Sequence, residues 1–237
     1  MTKKSLAAFT LVEMLVVIAI IATIAAFALP AITGALTKAQ LTQSVSNARQ
    51  IYLATFQMAT DGTQTGDAKY GWPGDLAAST DATVGITSVS DFVTRLVDND
   101  YLKAGDLKVF AAPGITPWNG IYTKPVDANS KGSFAPRFDG TTNCAFKIYK
   151  VTDKDPSNAI FLATKNFTYS GNTNTAINNT AAPFGDKGFV IFHKGGDGAV
   201  YKRQQATSKQ LLGIPPGTAD SQGTPPDETT DSYLLQK

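Results

Sequence analysis

The chain has 237 residues, 43% of them apolar, and carries 21 basic against 19 acidic side chains. Lys3 and Lys4 account for the whole excess, so the remainder is formally neutral and lacks the concentrated basic surface that nucleic-acid binding needs. With one cysteine, Cys144, no intramolecular disulfide can form, and a body of this length can bury a core without one.

The first eight residues, Met1 to Ala8, are short, basic and end in small side chains. Phe9-Thr10-Leu11-Val12-Glu13 follows, and from Met14 to Thr37 there are 24 residues without a charge. The 19 residues Met14 to Ile32 are nearly all apolar. As a helix they would span about 28 Å, close to the roughly 30 Å hydrocarbon core of a bilayer. One membrane helix is expected, with Lys3 and Lys4 on the cytoplasmic side. Glu13 is the anomaly, a carboxylate with no partner expected within its own apolar segment, and ionisable groups in such places usually pair or mark function. A cut between Ala8 and Phe9 would create a partner, the new amine on Phe9. Phe9 and Glu13 lie four residues apart, about 6 Å along a helix. The amine of one subunit can therefore meet Glu13 of a copy displaced axially by one or two turns. A head-to-tail contact that does not close into a ring propagates as a filament.

Ala8-Phe9-Thr10-Leu11-Val12-Glu13 resembles the leader junction of prepilins, the precursors of type IV pilins and of the pseudopilins of type II secretion. In that family a membrane peptidase cuts before the Phe and N-methylates it, which carries leader cleavage to Ala8 and Phe9 and methylation to Phe9. Glu13 and Pro30 match the family's Glu and Pro by count from Phe9, and together with Phe9 they are the expected assembly residues. The family usually has Gly before the cut; Ala8 is also small. The resemblance implies a homo-oligomeric helical filament. Its partners would be a prepilin peptidase, an inner-membrane assembly platform with its ATPase, minor pilins or pseudopilins, and membrane lipid. It further implies a subunit first held in the inner membrane, N-terminus cytoplasmic and head periplasmic, and then in a filament. Two alternatives remain: an ordinary signal-peptidase site at Ala26-Phe27-Ala28, and an uncleaved membrane anchor. The length of the apolar run, Glu13 inside it and Pro30 just after that second cut weigh against the ordinary signal.

Leu41, Val45, Ala48, Tyr52 and Phe56 continue at helical spacing as an amphipathic stripe that Asp61-Gly62 is expected to end. The chain thus divides into a leader over 1–8, a helix over 9–60 (apolar to 36, amphipathic over 37–60) and a head over 61–237 with a tail from about 213. Tyr70 to Asp75 reads as a turn, and Val89, Val93, Leu96 and Val97 as one face of a short helix beginning near Ser90 or Asp91. Irregular sequence is expected through Pro113 and Pro117. Strands are expected at 144–151, 159–164, 188–193 and 199–203, the last two joined by Gly195-Gly196-Asp197-Gly198 as a hairpin turn. The order predicts α+β: a long N-terminal α-helix and a head of antiparallel β-sheet packed on the helix's second half.

Pro117-Trp118-Asn119-Gly120-Ile121-Tyr122 and Gly195-Gly196-Asp197-Gly198 are similar to segments of major pseudopilins, which tilts the expected function toward a type II secretion pseudopilin. A type IV pilin, or a membrane-anchored binding module with the same signal, is the alternative. The pseudopilin resemblance also implies a possible Ca²⁺, for which Asp186 and Asp197 are the candidate ligands; Ca²⁺ takes about 6–8 oxygens. Cys144 and the single histidine, His193, could be imagined as nucleophile and base, but no motif surrounds either, and no enzyme is expected. Cys144 reads as a buried structural thiol. Lys147, Lys150 and Lys154, interleaved with Asp153 and Asp155, read as a solvated face. Asn166-Phe167-Thr168 and Asn178-Asn179-Thr180 match the glycosylation sequon, and 166–180 and 213–231 read as exposed loop or tail.

Overall fold

The computed structural model describes residues 10–81, 83–127, 130–168, 176–177, 181–205 and 235. Helix α1, Leu11–Thr65, contributes to two compact units, Met1–Ala39 and Gln40–Lys237. In the first unit every large apolar side chain from Leu11 to Leu36 is exposed or nearly so, Leu11 at 80% and Phe27 at 78%. That is the one helix here, among the described residues, long and apolar enough to cross a membrane. Its threonines hide their hydroxyls by donating to carbonyls of the preceding turn: Thr23 to Ala19, Thr33 to Pro30 and Thr37 to Thr33. Little polar surface is left facing outward.

In the second unit α1 buries Leu41, Ser44, Ala48, Ile51, Tyr52, Thr55, Met58 and Ala59, a stripe three and four residues apart. The expected stripe holds at Leu41, Ala48 and Tyr52, while Val45 is only half-buried and Ser44 beside it is buried. It then continues through Thr55, Met58 and Ala59, while Phe56 stays 48% exposed and stacks on Tyr52 from outside. Asp61-Gly62 does not end the helix. A Cβ on Gly62 would lie 2.2 Å from the Tyr70 carbonyl oxygen, so this glycine admits a close backbone approach. The helix stops one residue before Gly66, whose φ of +69° leaves the helical region and favours glycine.

Pro73 to Ala77 form a short helix, α2, where a turn was expected, with Pro73 at its first position. Helix α3, Val89–Asp98, starts one to two residues before the expected Ser90 or Asp91 because Ser88 is its cap. The Ser88 hydroxyl accepts from the Asp91 amide, and the Asp91 carboxylate accepts from the Ser88 amide. Burial alone would raise the Asp91 pKa. Hydrogen bonds from Thr87 and Ser88 outweigh it and hold the carboxyl below the usual aspartate range. A folded pKa below the unfolded one gives stability that is complete above about pH 4 and lost as pH falls through the folded value. Asp91→Asn should therefore melt lower than wild type at neutral pH, and the two melting curves should converge below pH ~4. Calorimetry across that range checks it.

A 3-10 segment, Ala104–Phe110, and a small hairpin of β1, Ile121–Thr123, and β2, Ser133–Ala135, occupy the stretch expected to be irregular. The main sheet is antiparallel: β3 Phe146–Ile148, β4 Ile160–Thr164, β7 Phe189–His193 and β8 Gly198–Tyr201, in the order β3-β4-β7-β8. All four lie within or about the expected strands, and β7 and β8 are joined by the expected glycine turn. A two-residue pair, β5 Phe167–Thr168 with β6 Ala176–Ile177, follows β4. Every residue of β4 and β7 is buried, so the middle of this sheet is covered on both faces. Tyr52 of α1 packs its ring against Phe161 of β4 and Phe192 of β7, at 6.1 and 5.2 Å between centroids.

Candidate assembly site

Helix α1 begins at Leu11 because Thr10 caps it. The Thr10 amide and hydroxyl both donate to Glu13 Oε2 at 2.8 Å, and the Glu13 amide donates to the Thr10 hydroxyl at 3.3 Å. This is a reciprocal capping box, and it corrects the expectation that Glu13 has no partner in its own segment. The Thr-x-x-Glu spacing carried that signal in the sequence, and Thr10 is the site residue that sequence reasoning missed. The carboxylate also sits at the helix N-terminus, where backbone dipoles favour negative charge. Four exposed apolar side chains, Leu11, Val12, Met14 and Leu15, surround it in sequence.

Pro30 lies inside α1, and the helix runs through it. Proline has no N–H, so the Ala26 carbonyl four residues earlier loses its helical donor there. The helix is locally weaker in backbone bonding at this one point of its apolar half. Ala8 and Phe9 lie outside the described residues.

The remaining candidates are scattered. Asp197 Oδ2 stands 2.7 Å from His193 Nδ1, and Asp186 is exposed in the turn before β7. Among the described residues no group of three or more His, Cys, Asp or Glu side chains could hold a metal ion. Cys144 and His193 each have a partner of their own, the thiol donating to the Phe146 carbonyl at 3.2 Å. Burial pushes the Cys144 thiol up to about 11 and leaves it 0% exposed. Thiol reagents at pH 7–8 should label Cys144 only after denaturant unfolds the head; fast labelling of the folded chain would contradict this burial.

Two surface readings change. Asp155 is nearly buried and accepts from the Thr152 amide and hydroxyl at 2.7 Å, so it is a turn-former, not part of a solvated face. Asn166 is 0% exposed, its amide donating to the carbonyls of Gly185 and Gly188 at 2.8 Å, so this sequon is closed in the folded head. Trp118 is also structural: its Nε1 donates to the Pro136 carbonyl at 2.7 Å and its ring packs on Phe134. The second sequon lies outside the described residues.

The class that this fold defines is an antiparallel head preceded in sequence by a helix long and apolar enough to cross a membrane, with a carboxylate near the helix start. The comparisons narrow the class. A family described as the prokaryotic N-terminal methylation motif matches residues 3–29. The type IV major fimbrial protein FimA of Dichelobacter nodosus is 32% identical over 145 residues, which cover 61% of this chain and 78% of that protein. No solved structure matches the chain significantly. The chain belongs to the type IV pilin-like family and is a structural subunit of that kind.

Proposed function

We propose that this chain is the subunit of a type IV pilus, cut between Ala8 and Phe9, methylated at Phe9 and assembled through α1. A prepilin peptidase processes it in the inner membrane, with its N-terminus cytoplasmic and its head periplasmic. An assembly platform driven by an ATPase then lifts it into the filament. There the Phe9 amine of one subunit pairs with Glu13 of its neighbour and sets the axial register. The observation that carries this reading is the exposed apolar run from Leu11 to Leu36 with a single carboxylate at its start. Such a surface is stable in lipid, or packed against copies of itself, and not in water.

Assembly has to replace the Thr10 bonds of Glu13 or add to them. A carboxylate has about four acceptor sites, so the incoming ammonium can join without breaking the cap. The pilus branch draws support from the fimbrial relative, whose match extends well beyond the N-terminal motif. A type II secretion pseudopilin is the second reading, favoured by the Pro117–Tyr122 and Gly195–Gly198 segments. Mass spectrometry of the mature chain tests the processing: a start at methylated Phe9 is expected, and a start at Leu29 would sink the proposal. Deleting the gene separates the branches, since loss of surface fibres points to the pilus and loss of enzyme secretion to the pseudopilus.

A further inference from the structure

Arg95 of α3 is 8% exposed, and its Nη2 donates to the carbonyls of Thr83 and Val84 at 2.8 and 2.9 Å. Among the described residues no carboxylate forms an ion pair with it, although buried charges are normally paired. Burial lowers its pKa, and Asp98, Tyr70 and Asp67 oppose that shift through space. The same side chain lines a pocket of about 340 Å³ between α3, the turn after α1 and the loop joining β1 to β2. Lys131 and Tyr70 border it too, and among the described residues neither the ammonium nor the hydroxyl has an acceptor. The pocket's carboxylates, by contrast, are engaged. Asp98 accepts from the Tyr122 hydroxyl and the Gly132 amide, and Asp67 accepts from the Lys69 amide at 2.9 Å.

We propose that this pocket binds a carboxylate, with Arg95 as its anchor and Lys131 and Tyr70 as flanking donors. Arg95 Nε and Nη1 are the donors that the Thr83 and Val84 carbonyls leave unused, and a guanidinium fork matches a planar carboxylate. Charge narrows the class further. Asp67, Asp98 and Asp127 border the same pocket, and their repulsion of a doubly charged phosphate is about twice that of a singly charged carboxylate. The volume lies at the small end of the ligand-pocket range, about 300–1,000 Å³, and suits one acid the size of a sugar or an amino acid. A free sugar acid and an acidic side chain of another protein share this chemistry. The lining residues all belong to the Gln40–Lys237 unit, so the site does not depend on the filament reading.

Saturation-transfer NMR on the full chain in detergent micelles tests it, with glucuronate, N-acetylglutamate α-amide and glucose as probes and inorganic phosphate as competitor. At least one carboxylate probe should bind with a Kd of about 1 mM or tighter, with glucose silent and equimolar phosphate displacing neither. Tighter binding of glucuronate assigns a free sugar acid as the ligand, and tighter binding of the glutamate amide assigns a protein side chain. Arg95→Gln should weaken the better probe by about tenfold or more. Arg95 also holds the Thr83 and Val84 carbonyls, so Lys131→Glu, at an exposed position, carries the test if Arg95→Gln folds poorly. It should weaken binding by about fivefold, since it replaces an attraction with a repulsion. Failure of both carboxylates to bind, equal binding of glucose, displacement by phosphate, or full binding by a folded Arg95→Gln or Lys131→Glu chain would overturn the proposal.

Discussion

Glu13→Ala should give a subunit that still inserts and is still cleaved but assembles poorly, with sheared filament falling by about tenfold or more. The helix tip is where charge has the fewest alternatives. From Met14 to Thr37 no other charge is present, so an ammonium brought to this level has Glu13 as its counterion from that segment. Removing the carboxylate leaves the neighbour's amine unpaired in a desolvated contact, the costlier way to break a charge pair. Three variants separate this from the local cap. Thr10→Ala removes the capping hydroxyl that serves Glu13 and keeps the charge, so its filament yield should fall only mildly. Glu13→Gln keeps much of the cap's shape and loses the charge, so it should behave like Glu13→Ala. If Thr10→Ala proves as damaging as Glu13→Ala, the cap explains the phenotype and the pairing role is lost. Membrane fractionation and sizing of the processed chain, run beside the filament assay, show that insertion and cleavage survive.

Phe161→Ala, measured in a fragment starting at Gln40, should destabilise the head by about 3–5 kcal/mol. Gln40–Lys237 is a compact unit of its own, so the fragment should be soluble and unfold cooperatively. Phe161 is 0% exposed on a central strand, and its ring meets Tyr52 of α1 at 6.1 Å and Trp72 at 5.8 Å. Alanine there leaves a cavity where helix and sheet join. Phe56→Ala is the internal contrast: its ring also touches Tyr52 and Trp72 but is half-exposed, and it should cost about 1 kcal/mol or less. Urea denaturation of both fragments, read by tryptophan fluorescence, gives the comparison. Equal losses would mean that the aromatic cluster is not centred on Phe161.

The same physics explains which elements could be foreseen. β4 and β7 are nearly continuous apolar runs bounded by turn residues, and buried strands need little else. Helix α3 was visible in Val89, Val93, Leu96 and Val97, although its true cap, Ser88, lay two to three positions before the expected Ser90 or Asp91. The β1–β2 hairpin was not visible. Three-residue strands carry too little alternation to stand out, and this pair is held by the packing of Phe134 against Trp118 and Tyr122. Gly62 misled because glycine usually marks a helix end, and the Tyr70 carbonyl that requires it is eight residues away.

At the assembly site most of the meaning is local and so was written in the chain. Hydropathy over Met14 to Ile32, one carboxylate at a counted distance from Phe9 and a proline at Pro30 are properties of composition and spacing, and a membrane or filament core selects directly on those. The Thr10–Glu13 cap is also local, and the Thr-x-x-Glu pattern announces it. Long-range neighbours are a different matter. That Asn166 turns inward to two glycine carbonyls and that Leu235 donates to the Ile148 carbonyl follow from which surfaces meet once the core packs, whereas the Asp197–His193 contact spans only four residues. Side-chain pattern along a chain reports which face is apolar, but contacts between distant segments depend on how those faces fit together.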